Sequence, residues 1–125
     1  MSTYTDGFVL CIPKDILDDC TKLATTAGKI WREHGALEYR ECVGDDMEAK
    51  DMVAFPEMAK AGPDEVVIFA WAVFESREHR DETNKKIMAD PRMAEMCGAT
   101  GPLFDCKRMA YGGFKTIVQL YHPQS

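Results

Sequence analysis

The sequence predicts an α+β fold of the ferredoxin-like βαββαβ type: an antiparallel sheet with two helices on one face. The segments run strand, helix, strand, long loop, strand, helix, strand, which is the order of that fold. The run Val66–Phe74 is continuously apolar and rich in β-branched and aromatic residues, which favours a buried strand. Two helices cover one face of a sheet, whereas this strand is apolar on both faces. Its second face therefore predicts pairing with a second copy of the chain.

The first half of the chain contains two strands and the clearest helix. Tyr4 to Ile12 alternates loosely as a strand, and Ala36 to Val43 is the second strand. Between them, Pro13 and Asp15 suit the first turn of a helix, and Gly35 follows its last turn. The apolar stripe of this helix has spacings of three and four and consists of Ile16, Cys20, Leu23, Ala27, Ile30, Trp31 and His34.

The second half begins with a long loop between the second and third strands, residues 45–65. Connections of this length are usually functional or disordered, and the spaced apolar residues predict a loop that packs, with a helical turn at Glu57–Ala61. Ser76 is the expected N-cap of the second helix, which Pro91 interrupts. Lys107 to Phe114 is the last strand, and residues 115–125 form a C-terminal arm. We expect one domain spanning residues 1–125.

Composition excludes several classes of partner and site. The net charge of −6 and the pI of about 5.0 disfavour nucleic acid and anionic membranes, whereas small neutral or cationic ligands remain unrestricted. We expect a cytoplasmic protein, because no signal peptide and no apolar run of about 20 residues occurs. Five cysteines without a C-x-x-C and three scattered histidines predict no metal site, and we expect no cofactor.

The most concentrated polar set on a strand is Glu38 to Glu41. Glu38 and Arg40 share one face of the strand, where they could flank a polar ligand. The structural alternative is a solvated edge strand or ion pairs across a dimer, and charge on an edge strand also blocks aggregation. Glu41 shares the other face with apolar residues, so we expect it to be the more buried of the two carboxylates.

Three residues are candidates for proton transfer: His34, Arg40 and Glu41. His34 has a structural alternative, because a charged imidazole is favoured at a helix C-terminus. The candidates for lining a pocket are Glu38, Tyr39, Trp71 and Tyr111, although core packing alone explains the two aromatic residues on the third and last strands. A second polar prediction is a cross-strand pair between Asp6 and Arg108.

Four segments resemble the uncharacterised YbaA-like bacterial proteins. They are Asp6–Val9, Trp31–Asp46, Met88–Arg92 and Lys107–Phe114, and the likeness extends over nearly the whole chain. The resemblance implies membership of the dimeric α+β barrel superfamily, in which ferredoxin-like protomers pair. It implies no activity, because that superfamily includes cofactor-independent monooxygenases, haem-degrading enzymes, lactone isomerases and stress-related binding modules.

The function that we expect is binding of a small, partly apolar molecule between the sheet and the helices of a homodimer, with the 45–65 loop as a lid. If the ligand is turned over, cofactor-independent monooxygenation or isomerisation is the expected reaction. The alternative is a non-catalytic dimeric protein-interaction or stress-related module, whose outer surface contacts another protein. No sequence motif decides between an enzyme and a binding module.

Overall fold

The computed structural model describes residues 3–100 and 108–121 of the chain, with backbone alone at positions 96–100. Its strands are β1 (Tyr4–Pro13), β2 (Glu38–Val43), β3 (Glu65–Phe74) and β4 (Ala110–Lys115). Its α-helices are α1 (Leu17–Glu33), α2 (Phe55–Ala59), α3 (Arg77–Met88) and α4 (Pro91–Thr100), with a 3-10 turn, Lys14–Ile16, ahead of α1.

The four strands form one antiparallel sheet in the order β2-β3-β1-β4. With α1 and α3 packed on one face, this is the predicted α+β, ferredoxin-like arrangement, and the fold prediction is confirmed. The register places Asp6 opposite Ala72 on one side and Gly113 on the other. In the same way, Arg40 lies opposite Trp71 and Glu41 opposite Ala70.

The face that carries α1 and α3, hereafter the helix face, holds most of the core. Alternate residues of β3 point towards the helices and are buried, because side chains alternate along a strand. Ala36, Ala72 and Phe74 form a buried cluster against which Trp31 and Tyr39 pack. The helices contribute Ile30 of α1 and Thr83 and Ile87 of α3, which are also fully buried.

The α3 helix is anchored to the sheet by a buried ion pair. The N-cap prediction at Ser76 is confirmed, since its side chain accepts from the N–H of His79. The predicted pair between Asp6 and Arg108 is wrong. Asp6, which is 1% exposed, accepts from Nη1 of Arg80 at 2.7 Å instead, and Arg108 binds Glu65. The register explains this result, because Gly113 lies opposite Asp6, five positions from Arg108.

The opposite face of the sheet, hereafter the open face, is only partly covered. The 45–65 loop folds back over it: Phe55 of α2 contacts Phe69, and Cys11 donates to the carbonyl oxygen of Ala59. The second face of β3 was expected to be covered by a second copy of the chain, but at one end the loop of the same protomer covers it, and Cys11 and Val67 are buried there. The sequence shows that a loop is apolar, but not on which face it packs.

The remainder of the open face and the C-terminal arm are exposed. Phe69 is 44% and Phe114 62% exposed. After β4, Thr116 donates its N–H to the carbonyl oxygen of Thr3, and the apolar residues that follow, Ile117, Val118, Leu120 and Tyr121, are all exposed. Among the described residues, no helix is long and apolar enough to cross a membrane.

Candidate active site in a cavity beneath helix α1

A cavity of about 1070 Å³ lies between α1 and the helix face of the sheet. Its floor consists mainly of apolar side chains from β1, β2 and β3, and its roof is α1. The lining includes Cys20, Ala24, Gly28, Trp31, Tyr39, Glu41 and Ala70. No residue of the 45–65 loop lines the cavity, because that loop lies on the other face. The loop is therefore not the predicted lid of this cavity.

The cavity exists because small residues of α1 lie above a small residue of β3. Ala24 and Gly28 of α1 and Ala70 of β3 all line it. Gly28 is also required for packing, because a Cβ at this position would lie 2.7 Å from Cδ1 of Tyr39. The glycine thus allows the Tyr39 ring to stand directly against the helix.

A hydrogen-bonded pair on β2, Tyr39 and Glu41, forms the polar part of the wall. The Tyr39 hydroxyl donates to Oε2 of Glu41 at 2.5 Å. Burial, together with the Glu41 carboxylate, raises the pKa of Tyr39, so its hydroxyl remains a donor at neutral pH. The Tyr39 ring also packs against that of Trp31, with centroids 5.7 Å apart.

Glu41 is exposed, whereas Glu38 is the more buried of the two residues. The expectation that Glu41 would be the more buried carboxylate is therefore wrong. Sharing a strand face with apolar side chains does not bury Glu41, because β2 is an edge strand and the surface next to Glu41 opens into the cavity.

The Glu41 carboxylate has no cation beside it among the side chains that the structure describes. Its charge reaches the roof of the cavity: burial and then the Glu41 carboxylate raise the pKa of the Cys20 thiol. Two other charged residues of the lining are already bound. Arg32 donates to the carbonyl oxygens of Ala36 and Leu37, and Glu33 pairs with Arg92.

Trp31 contributes a buried donor to the same wall. Its Nε1 is shielded from solvent and has no hydrogen-bond partner among the described residues. Buried N–H groups are usually satisfied, and leaving one unpaired costs about 1–3 kcal/mol.

Three of the predicted site residues lie on the open face of the sheet. Oε1 of Glu38 accepts from Nε1 of Trp71 at 3.2 Å and forms an ion pair with Arg40, whose Nε lies 3.1 Å away. The Arg40 guanidinium also stacks over the Trp71 ring, 5.4 Å from its centroid. Glu38, Arg40 and Trp71 therefore lie together, but the sheet separates them from Tyr39 and Glu41.

His34 connects α1 to the segment between α3 and α4. Its Nε2 lies 2.8 Å from Oδ2 of Asp90, which also binds Arg92. The hydrogen bonds from Arg92 and His34 lower the pKa of Asp90, so this carboxylate is ionised at neutral pH. His34 is not among the residues that line the cavity.

Tyr111 lies on the helix face at the β4 edge. Its ring packs on Phe8, with centroids 5.0 Å apart, and its hydroxyl accepts from Nη1 of Arg80 at 3.1 Å. Of the predicted site residues, only Tyr39 and Glu41 line the cavity. Sequence reasoning missed the small roof residues, which were visible as Cys20, Ala24, Ala27 and Gly28 recurring at helical spacing.

No group of three His, Cys, Asp or Glu residues within the described ranges is arranged to hold a metal ion.

Comparison with known proteins decides the family. Residues 3–106 match the protein family of unknown function DUF1428. The chain belongs to this family. It is 42% identical over 115 residues to the uncharacterised protein YbaA of Escherichia coli K12, covering 92% of this chain and 97% of YbaA. The same figures hold for the YbaA protein of Shigella flexneri.

Solved structures similar to this DUF1428 protein share its fold. One is a variant of SnoaB, a cofactor-independent oxygenase from Streptomyces nogalater, with a TM-score of 0.56 and 11% identity, covering 98% of this chain and 99% of SnoaB. Another is a NIPSNAP family protein of unknown function from Agrobacterium tumefaciens, with a TM-score of 0.54 and 18% identity, covering 92% and 87% of the two chains. At these identities the likeness establishes the fold and transfers no residue role.

Proposed function

We propose that the protein binds a small, partly apolar molecule in the cavity beneath α1. The observation that carries this proposal is the cavity itself, which at about 1070 Å³ is slightly larger than the roughly 300–1,000 Å³ usual for small-molecule sites. Its lining also has the usual composition of such sites, with many apolar side chains and a few polar groups placed together. Tyr39 and Glu41 supply those polar groups.

Binding of N-phenyl-1-naphthylamine, a neutral apolar fluorescent probe, tests this proposal. We expect saturable binding to the wild-type protein and at least tenfold weaker binding to Ala70→Leu, because the new side chain occupies the cavity. Phe69→Asp is the matched control, since Phe69 is an exposed apolar residue on the open face. If Phe69→Asp abolished probe binding and Ala70→Leu left it intact, the site would lie on the open face and the proposal would be refuted.

We also propose that two copies pair through the open face. This surface combines exposed aromatic residues, Phe69 and Phe114, with the oppositely charged Glu38 and Arg40 on the edge strand. Such a surface is self-complementary, because a two-fold axis brings a carboxylate of one copy towards a guanidinium of the other. A continuous exposed apolar patch ordinarily marks an association surface.

Sedimentation equilibrium tests the dimer. We expect a dimer for the wild-type chain and a monomer for Phe69→Asp, because the substitution buries an unpaired charge in the proposed interface. Met88→Asp is the control: Met88 is exposed in the helix layer, so this variant should remain dimeric. A monomeric wild-type chain would contradict the proposal and favour the alternative, a module that uses the open face for another protein.

A second candidate function is removal of a proton from the bound molecule, the first step that oxygenation of a carbon acid and isomerisation have in common. Glu41 is the only one of the three predicted catalytic residues that lines the cavity. A carboxylate within reach of a substrate proton can act as a general base. Exchange of the α-hydrogens of 2-indanone for solvent deuterium measures this step. We expect exchange with the wild-type protein and loss of it in Glu41→Gln, and equal rates in both would remove Glu41 from that role.

A further inference from the structure

The Glu41 carboxylate is a charged group of the cavity lining that forms no ion pair among the described side chains. Oε2 accepts the Tyr39 hydroxyl, and no donor to Oε1 occurs among the described side chains. The neighbouring cation along the strand, Arg40, points to the other face, where Glu38 and Trp71 hold it. Glu41 thus contributes a negative charge without an ion-pair partner to a mainly apolar cavity.

The pair with Tyr39 fixes the position of this charge. The Tyr39 ring is held between Gly28 and Trp31, and its hydroxyl holds one carboxylate oxygen. The second oxygen therefore has a defined position without the entropy cost of ordering a free side chain at binding. Preorganised groups of this kind add affinity for a ligand that matches them.

The geometry points to an amphipathic amine as the class of ligand that this cavity takes, with the protonated nitrogen at Glu41 and the apolar body between α1 and the sheet. This inference rests on the proposed function, since it requires that the cavity bind a small molecule. A hydrogen bond between an ammonium and a carboxylate is about twice as strong as one between neutral groups. The net charge of −6 also favours a cationic ligand over an anionic one.

Lys29 is the group in the lining that opposes this inference. It is exposed, and it lies on α1 next to Gly28. A ligand with an anionic group would use Lys29 in place of Glu41. The two possibilities make opposite predictions for ligands that share one apolar chain and differ in the charge at its end.

Displacement of N-phenyl-1-naphthylamine by octylamine, 1-octanol and octanoate at pH 7 distinguishes them. Octylamine is protonated at this pH, because alkyl ammonium groups have a pKa near that of lysine, about 10.4. We expect octylamine to bind about tenfold more tightly than 1-octanol and octanoate to bind more weakly than both. In Glu41→Gln, octylamine and 1-octanol should bind within about threefold of each other.

The control is Glu48→Gln, which makes the same change of charge at an exposed position outside the cavity and should retain the full preference. Equal binding of the three compounds, or an amine preference that survives in Glu41→Gln, would overturn the inference but leave the cavity as a binding site. Tightest binding of octanoate, lost in Lys29→Gln, would overturn it in favour of an anionic ligand. Failure of the wild-type protein to bind the fluorescent probe would overturn the proposed function and this inference together.

Discussion

The two long helices meet the same face of the sheet in different ways. Helix α3 is anchored by the buried pair of Asp6 and Arg80 and packs closely through Thr83 and Ile87. Helix α1 carries small residues above Ala70, and a cavity remains beneath it. The comparison shows how one layer of a small domain can be tightly packed for stability while its neighbour leaves space for a ligand.

The largest effect is expected from breaking the anchor of α3. Arg80→Met should reduce the free energy of unfolding by about 3–5 kcal/mol, because it leaves the Asp6 carboxylate buried without its cation. Urea denaturation measures this change. The double variant Asp6→Asn, Arg80→Met should recover part of the loss, since the buried charge is then gone. A loss below about 1 kcal/mol for Arg80→Met would mean that α3 is not held by this pair.

A matched pair of substitutions on β3 compares the packed and open regions directly. Ala72→Leu should cost about 1–3 kcal/mol, because Ala72 is 0% exposed and belongs to the core cluster. Ala70→Leu should leave stability unchanged or raise it slightly, because its side chain enters the cavity. Thermal unfolding of both variants provides the measurement. Equal losses in the two variants would show that the space beneath α1 is closed in solution.

A smaller effect is expected from Gly28→Ala at the boundary between the regions. Alanine has the higher helix propensity by about 1 kcal/mol, but its Cβ would lie 2.7 Å from the rigid Tyr39 ring. We expect the steric cost to exceed the gain, so that the variant is about 1 kcal/mol less stable. Calorimetry measures the stability, and a shifted Tyr39 ring should appear in the NMR spectrum. A variant more stable than wild type would mean that Tyr39 does not lie against α1.

The smallest effect concerns Glu65, which binds Arg108 at the start of β3. The Arg108 guanidinium and the Gly62 N–H lower the pKa of Glu65 to about 2. A lowered pKa means that Glu65 stabilises the fold above its ordinary pKa of about 4.3 and loses this effect as the pH falls towards 2. The excess stability of wild type over Glu65→Gln, measured by circular dichroism, should therefore be constant from pH 7 to 5, decrease on further acidification and vanish below pH 2.

The pH dependence of stability has the opposite sign for Asp6, which distinguishes its buried ion pair from that of Glu65. Burial raises the pKa of Asp6, in spite of Arg80 beside it. As the pH falls, protonation of Asp6 therefore increases the stability of the folded state, whereas protonation of Glu65 decreases it. A wild-type excess over Glu65→Gln that grew on acidification would contradict the assignment of the Glu65 pair.

The fold could be predicted because its elements have strong local patterns. The apolar run of β3 and the stripe of α1 fix a strand and a helix, and the order of elements then selects the ferredoxin-like arrangement. The site was harder, because it depends on space that side chains leave unfilled. The alternation of side chains along β2 places Tyr39 and Glu41 on one face, but this alternation does not show that α1 leaves Glu41 uncovered.

Contacts distant in the sequence were the part that could not be predicted. His34 lies on the apolar stripe of α1, yet its hydrogen-bond partner is Asp90, which sequence spacing does not bring near it. The Asp6 carboxylate could be placed on its strand, but its choice of Arg80 over Arg108 depends on the register of β4. Periodicity assigns a residue to a face, whereas the register and the packing of helices assign its partner.

A ¹H–¹⁵N NMR titration of the wild-type protein with octylamine distinguishes the space beneath α1 from the open face as the ligand site. If the ligand binds beneath α1, the largest shifts should occur at the backbone amides of Cys20, Ala24, Gly28 and Glu41, with little change at Phe69 and Phe114 on the open face. Shifts confined to the open face, or no shifts at saturating amine, would contradict binding beneath α1.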